Sequence, residues 1–495
     1  MSAPAPGKGP AAAGSRTTDR LARAAFSRLA EPQDAVAAAL IAVTGPSDAL
    51  RVATGRVRPG PRLERQVAEH LGRDDTGPAL VAAAVQRWAA RVPSLAPERD
   101  VAVLGRLGGW LLTPEDDAWP VGLADLGPEA PLCLWGRGRP PETLPDTSRA
   151  VAVVGARDST AYGESVSADL AHGLVLTGCT VVSGGAFGID AQAHRGALAA
   201  HGSRGPGTMS PPPRPPRPPV PDDPGDPPDP VGRSTEHGGA GPTAADPLPT
   251  VAVMACGVDR FYPAAHESLL RAVMAEGCLL AEVPPGSSPT RWRFLQRNRL
   301  IAALSAVTVV VEARWRSGAL NTAHHAAGLG REIGAVPGSV HAATSAGCHR
   351  LLRESDAVCV TDVDDVVELL APYRVSVGLA EGGNAPTSSA GSAASVGGAC
   401  ATPGAGAHGE PDGGVAGGAS VPVRSARPAA HDGLSPQDLM LYDALPVRSG
   451  STTSRLAAVA GMSEPAVRAG LGRLSLRGLT VTANGRWRKA SSASG

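Results

Sequence analysis

Two short apolar runs in this chain end in glycine just where a helix is due to begin. The first is Val151-Ala-Val-Val-Gly-Ala-Arg157, the second Val181-Val-Ser-Gly-Gly-Ala-Phe-Gly-Ile-Asp190. A buried strand that stops at glycine lets a ligand approach the backbone, and the next helix offers its free N–H groups to an anion. In the second run Ser183, Gly184 and Gly185 form that turn; after the first, Arg157 adds a fixed positive charge. A third cluster, Thr290-Arg-Trp-Arg-Phe-Leu-Gln-Arg-Asn-Arg299, runs into Leu300, Ile301 and Leu304, which read as a buried helix face. That reading puts Arg297, Asn298 and Arg299 in the first turns of the helix, where arginine opposes the macrodipole unless an anion offsets it. Phe294, just upstream, can stack on a base or join the core, and spacing alone leaves both open. Ser317-Gly318 opens a further helix after the run ending at Val311, a third source of backbone amides at this edge. The chemistry indicated is phosphate binding, of a nucleotide or of a nucleic-acid backbone.

Groups that could break bonds are scarcer. The chain holds no G-x-x-x-x-G-K-[ST], no H-E-x-x-H and no G-x-S-x-G, so a P-loop ATPase, a zincin and a serine hydrolase of the elbow type are not indicated. Glu282 and Glu312 end strands and could serve a nucleotide-cleaving enzyme as general base, but ion pairing with nearby arginines is the simpler role. Asp190 reads as a helix cap. His324 and His325 are adjacent, so they point in different directions on a helix and make a poor metal pair. No cofactor is expected.

The elements that must hold these residues follow from composition and pattern. The 495 residues leave room for about two to four domains. Aromatic content is 3%, while 61 glycines and 47 prolines mark stretches that cannot be packed core. Net charge is zero, so any basic surface must be local. Lys8 and Lys489 are the only lysines, so arginine must bind any phosphate. The seven cysteines show no paired spacing and suit reduced, buried thiols in a cytosolic protein. No apolar run is long enough to span a bilayer, and a soluble, cytoplasmic protein without a membrane partner is expected.

The first 17 residues read as a flexible tail, and 18–146 as a helical N-terminal domain with a connector. Within it, Trp119-Pro120 and Pro131-Leu-Cys-Leu-Trp135 should pack the connector onto the next domain. From 150 to 372 strands and helices alternate. The candidate strands are Val151–Val154, Thr180–Ser183, Thr250–Met254, Leu279–Glu282, Val307–Val311, Ile333–Val336 and Val358–Val360. They are apolar throughout, as strands covered on both faces should be, and predict an α/β fold with a doubly wound parallel sheet. The Pro-rich stretch 203–249 and the Gly/Ala/Ser-rich stretch 373–433 read as disordered. The first is a helix-to-strand connection, so it should leave from the sheet edge opposite the ligand edge.

The segment 434–490 reads as a winged helix. Ser435–Leu445 and Thr452–Ala460 make two helices, and Ser463 caps a third whose Val467, Leu471 and Leu474 form an inward stripe. Arg468, Arg473 and Arg477 stand off that stripe, and Arg486 and Arg488 follow an Asn484-Gly485 hairpin turn. Contact with DNA through these arginines, contact with a protein, and a structural role all fit.

Taken in order, the motifs resemble those of the DNA-processing protein A (DprA/Smf) family. They are Val-Val-Gly-Ala-Arg157, Ser183-Gly-Gly-Ala-Phe-Gly-Ile-Asp190 with Ala193-His194-Arg195, Ala281-Glu-Val-Pro-Pro-Gly286, Arg297-Asn-Arg-Leu-Ile-Ala302, Glu312 with Ser317-Gly318, and Val336-Pro-Gly338. The resemblance covers about Ala150 to Leu370. It implies an extended Rossmann-like domain, a homodimer, and a non-enzymatic protein that binds single-stranded DNA and helps load RecA recombinase in DNA uptake and natural transformation. It further implies that Arg157, the Ser183-Gly184-Gly185 loop, Phe294, Arg297 and Arg299 line the DNA pocket. The family usually has arginine where this chain has Phe187 and proline where it has Leu295, so one phosphate contact is expected to be lost or replaced. Two rival readings are a phosphoribohydrolase-like nucleotide enzyme and a transcription regulator that reads duplex DNA through 434–490. Against the first, Arg316-Ser-Gly-Ala-Leu-Asn-Thr-Ala323 lacks the catalytic glutamate of that group's glycine-rich motif.

Overall fold

The structure, a computed structural model, describes residues 10–73, 79–203, 247–381, 434–446, 450–483 and 485–490. Most of the Pro-rich insert, most of the 373–433 linker, the start of the N-terminal tail and Asn484 lie outside them. Six helices come first: α1 (Pro10–Leu29), α2 (Ala35–Thr44), α3 (Pro46–Ala53), α4 (Pro61–His70), α5 (Leu80–Trp88) and α6 (Pro97–Arg106). Proline opens four of them, at a position whose N–H has no helical partner in any case. Phe26, Leu40, Val52, Val81 and Trp88 close a small core between them, and Trp88 spends its indole N–H on Asp34 at 3.0 Å.

Two strands then appear where a connector is expected: β1 (Gly109–Leu112) and β2 (Leu134–Gly138). Alternating elements follow: β3 (Ala150–Val154), α7 (Ala161–Leu176), β4 (Thr180–Ser183), α8 (Ile189–Ser203), β5 (Thr250–Met254), α9 (Glu267–Glu276), β6 (Cys278–Ala281), α10 (Arg291–Ala303), β7 (Val307–Val310), α11 (Gly318–Gly328), β8 (Glu332–Ala335), α12 (Ala346–Glu354), β9 (Val358–Cys359) and α13 (Val363–Glu381). All nine strands share one sheet in the order β1-β2-β6-β5-β4-β3-β7-β8-β9. From β6 to β9 the pairing is parallel. The seven expected strands are present, each end within a residue of its expected place, but the sheet is not purely parallel. β2 pairs antiparallel with β6, Trp135 opposite Ala281, and β1 pairs antiparallel with β2. The Pro131–Trp135 segment thus joins the sheet itself, which buries Trp135 completely.

Helices cover both faces. Leu300 and Ile301 of α10 and Leu320 and Ala323 of α11 meet Val154, Val182 and Val310 on one side. Leu170 and Leu174 of α7 and Ile189 and Ala197 of α8 meet Val151, Val153 and Val309 on the other. β4 and β7 flank β3, so the strand order reverses direction between β3 and β7. In a doubly wound sheet that reversal opens a crevice at the carboxyl ends of the strands. The chain leaves α8 at Ser203 and returns into β5 at Thr250, at the opposite edge.

Beyond the linker come α14 (Pro436–Ala444), α15 (Thr453–Ala460), α16 (Glu464–Leu476) and a hairpin of β10 (Thr480–Ala483) and β11 (Arg486–Lys489). Ser435, Thr452 and Ser463 each cap a helix by accepting a backbone N–H. The stripe Val467, Leu471 and Leu474 is fully buried, as its spacing predicts. Gly485, at φ +69, occupies the left-handed conformation the hairpin turn requires.

A buried carboxylate ties these parts together. Glu31, in the turn between α1 and α2, accepts from Arg91 after α5 and from Arg293 in α10, the latter at 2.9 and 3.0 Å. Arg91 also donates to the carbonyls of Ala458 and Val459 in α15, at 2.7 and 3.1 Å. Burial pushes the Glu31 carboxyl up, but the two guanidiniums outweigh it and hold the group at about 2, against 4.5 for an ordinary glutamate. A depressed folded-state pKa stabilises fully above the unfolded value, and the gain is lost as pH falls through the folded one. The shift corresponds to about 3 kcal/mol. Glu31→Gln should therefore lower stability at neutral pH by about 3 kcal/mol. It should also flatten the acid loss that the wild-type chain shows between pH 4.5 and about 2. Urea titrations across that range test both; equal acid slopes in the two chains would sink the assignment.

Candidate functional site

The crevice at the strand reversal is a cleft of about 660 Å³ between the β3–α7 loop, α10 and the β7–α11 turn. Three sequence features hold it open. Thr160 caps α7 and donates its hydroxyl to Glu312 at 2.7 Å, with its backbone N–H on the same carboxylate at 2.9 Å. Thr290 caps α10 through the N–H of Arg293, and Ser317 caps α11 through that of Ala319. Glu312 is therefore the brace between the two loops rather than the partner of an arginine, since it follows β7 directly and faces the start of α7. Glu282 does pair with an arginine, as expected.

Arg297 is the central group. It is 6% exposed, lines the cleft, and has no hydrogen-bond partner for Nε or Nη1. Its guanidinium lies flat on the strand-to-helix turn: a Cβ added at Gly184 would stand 1.8 Å from Nη1. Glycine at 184 is thus required by the close approach. Burial pushes Arg297 down to about 10, with Asp190 pulling it up and Arg157 pushing it further down. Asp190 is itself pushed up by burial, although Arg297 and the N–H of Ala186 favour its charge. The two do not neutralise each other well, and the buried cation is left wanting an anion.

Phe294 stands above it. The Arg157 guanidinium lies 4.7 Å from the ring centroid and that of Arg297 5.9 Å, while Tyr262 meets the ring at 5.7 Å, tilted by 48°. The ring is half-buried and part of the cleft wall. Asn298 also lines the cleft, with its amide on the Gly318 carbonyl and on Asn321, both at 3.2 Å. Ser317 and Gly318 complete the far wall.

The structure brings together Arg157, Phe294, Arg297, Asn298, Ser317 and Gly318. It does not bring Arg299. Two residues on from Arg297 is about 200° around the helix, and Arg299 is fully buried on the opposite side. There it makes a two-pronged pair with Glu282 at 2.7 and 2.8 Å and donates Nε to the Glu129 carbonyl. Ser183 turns its hydroxyl inward to the Val153 carbonyl, Gly184 lies beneath Arg297, and Gly185 is buried against Leu270, so none of the three forms the exposed wall. The helix α10 also starts earlier than expected, at Arg291, because Thr290 caps it. Arg297 consequently sits in the second turn, and the macrodipole argument falls on Arg291 and Arg293 instead. Phe187, half exposed, packs edge-on against His266 at 4.5 Å, and Leu295 lies in the cleft wall.

Sequence reasoning missed Arg314 and Arg316, which line the cleft from the end of β7. The signal was available: they follow β7 as Arg157 follows β3. Arg291 lines it too, so five arginines face two carboxylates, Asp158 and Asp190. Asp158 is paired with Arg314 at 2.6 Å. Of the C-terminal arginines, Arg468 pairs with Glu464 at 3.0 Å and Arg473 with Asp438 at 2.7 Å. Arg477 is exposed, and Arg486 and Arg488 donate weakly to the carbonyls of Gly450 and Lys489. Among the described residues no group of three or more histidines, cysteines or carboxylates is placed to hold a metal. Five of six described cysteines are buried.

Comparison with known proteins places this arrangement. The sequence pattern of the family described as DNA recombination-mediator protein A matches residues 110–205 and 241–371, starting at β1 and ending in α13. A Mycobacterium tuberculosis DNA processing protein DprA is 36% identical over 474 residues, covering 94% of this chain and 92% of its own. The DNA processing protein DprA of Streptococcus pneumoniae is 31% identical over 252 residues, 51% of this chain and 71% of its own. The X-ray structure of a Streptococcus pneumoniae DprA, 24% identical, covers 71% of this chain and 97% of its own with a TM-score of 0.48. With more than a third of its residues identical to a relative over nearly the whole length of both, the chain belongs to the DNA-processing protein A (DprA/Smf) family.

Proposed function

We propose that the chain is a recombination mediator that binds single-stranded DNA in the cleft and helps load RecA recombinase onto it, as in DNA uptake. The observation that carries this reading is Arg297: a buried guanidinium with two unpartnered donors, beside a stacked phenylalanine, in a cleft where arginines outnumber carboxylates. A backbone phosphate supplies the missing acceptor, and a base stacks on Phe294 without being read by sequence-specific bonds. The overall neutrality of the chain keeps this attraction local. Catalysis has little support: Glu312 and Glu282 are both committed to structural bonds, and the cleft's carboxylates are one ion-paired and one buried.

We extend the reading in four respects. The core 150–372, extended at one edge of its sheet by β1 and β2, acts as the Rossmann-like DNA-binding domain, is preceded by the helices α1 to α6, and forms a homodimer. The segment 434–490 is a winged helix, which its three capped helices and closing hairpin support. Two of its five candidate arginines, Arg468 and Arg473, are engaged by neighbouring carboxylates, which leaves Arg477, Arg486 and Arg488 as the positions for contact with DNA or with a protein. The protein acts in the cytoplasm without a membrane partner; among the described residues no helix is long and apolar enough to cross a bilayer.

Salt-titrated binding to an unstructured single strand tests the reading. Arg297→Ala should weaken binding by about 10- to 100-fold and make the log–log salt slope shallower by about 0.7, one phosphate's share. Gly184→Ala should do the same by expelling the guanidinium, and the double variant should be no worse than either single one. Unchanged slopes would remove Arg297 from the site. Arg299→Met gives the contrast: it should cost stability by about 3–5 kcal/mol through the stranded Glu282, yet leave the salt slope of the folded protein as it was.

A further inference from the structure

The turn from β7 into α11 has a feature that the cleft's own chemistry does not use. Arg314, Trp315, Arg316 and Ser317 form a closed turn, with the Ser317 N–H on the Arg314 carbonyl at 3.0 Å. Both arginines line the cleft, and Trp315 between them is 51% exposed. The other six tryptophans, all described, are buried or partly buried. The Arg350 guanidinium of α12 lies 5.0 Å from the indole centroid, and Arg350 is itself held by Glu354 at 2.7 Å. An exposed indole backed by a fixed guanidinium and flanked by two cationic side chains is a platform for a nucleobase.

The two ends of the cleft differ in what they offer a polyanion. At the start of α10 the N–H of Trp292 is already taken by the Asp443 carboxylate of α14, at 3.1 Å. A phosphate leaving there meets Arg291 already faced by the Asp443 carboxylate. At the β7–α11 turn it meets Arg316, which has no ion-pair or hydrogen-bond partner among the described residues. We infer that Trp315 is a second base-stacking position, taking a nucleotide of the strand as it runs from Phe294 out of the cleft past Arg316. This inference rests on the single-strand reading above.

The test uses the full chain and oligothymidylates of about 4 to about 16 nucleotides. Trp315→Ala should leave the shortest oligomers bound as tightly as by the wild type and weaken the longer ones by about 5- to 100-fold, one stacked base's worth. The salt slope should not change, because no charge is removed, and Trp315→Phe should restore most of the affinity. Long oligomers should quench tryptophan fluorescence in the wild-type chain and not in Trp315→Phe. Wild-type affinity of Trp315→Ala at every length, with Arg297→Ala still impaired, would overturn the inference and leave the proposed function standing. An equal loss at all lengths would overturn it too, by making Trp315 a prop for the turn. A wild-type chain that binds no single strand would overturn the function and this position together.

Discussion

A buried cation that its own protein does not satisfy is the constraint on which the rest of the cleft depends. Arg297 lies on Gly184 so closely that no side chain fits there, and Asp190 compensates its charge only in part. His194, buried below with its Nδ1 on the Thr250 hydroxyl at 2.7 Å, is pushed down to about 3 by burial and by the fields of Arg297 and His266. It stays neutral and adds no competing positive charge. The floor thus leaves two donors of Arg297 without a protein partner. Arg299 makes the converse case on the same helix. Its donors are engaged by Glu282 and two backbone carbonyls, and it holds the sheet to the N-terminal segment instead of facing a ligand.

The sheet explains why the cation sits where it does. Reversal of strand order between β3 and β7 separates two loops that would otherwise close over one another, and Glu312 keeps them at a fixed spacing through Thr160. Each loop carries arginine immediately after its strand, so the charge is delivered by short, braced turns and not by flexible lysines. The planar guanidinium also suits stacking on Phe294 and on a base, which an ammonium does less well. Phe187, where the family usually has arginine, is turned onto His266 at the edge of this arrangement, so the positive charge is concentrated on α10 and the β7–α11 turn.

How much of this was legible in the sequence follows from the range of each interaction. Runs such as Val151–Val154 and Val307–Val310 announce buried strands by themselves, because β-branched residues that need cover on both faces leave few alternatives. β1 and β2 did not, since Gly109-Trp-Leu-Leu112 and Leu134-Trp-Gly-Arg-Gly138 are short and carry glycine, and only the pairing of β2 with β6 and of β1 with β2 makes them strands. The cluster 290–299 was recognisable as basic and helical, and residues two apart on a helix lie on opposite sides wherever it starts, so Arg297 and Arg299 could not both face one cleft. The partner of Arg299 lies 17 residues upstream, and no local pattern names it. Arg314 and Arg316 were visible in principle, by analogy with Arg157, once β3 and β7 are known to be neighbours.

Helix α10 also links the cleft to the C-terminal segment. Within about 8 Å of helix, Trp292 gives its amide to Asp443, Arg293 holds Glu31, and Arg297 faces the cleft. Glu31 in turn fixes Arg91, whose remaining donors grip α15. Each of these bonds is partly or wholly removed from water, so none is easily exchanged for solvent, and a rigid helix carries displacement at one end to the other. α10 is therefore an element shared by the cleft, the N-terminal helices and, through Asp443 and Arg91, the C-terminal segment. A cleft built on a shared helix is suited to a mediator, which must hold a strand and respond to a partner through the same element.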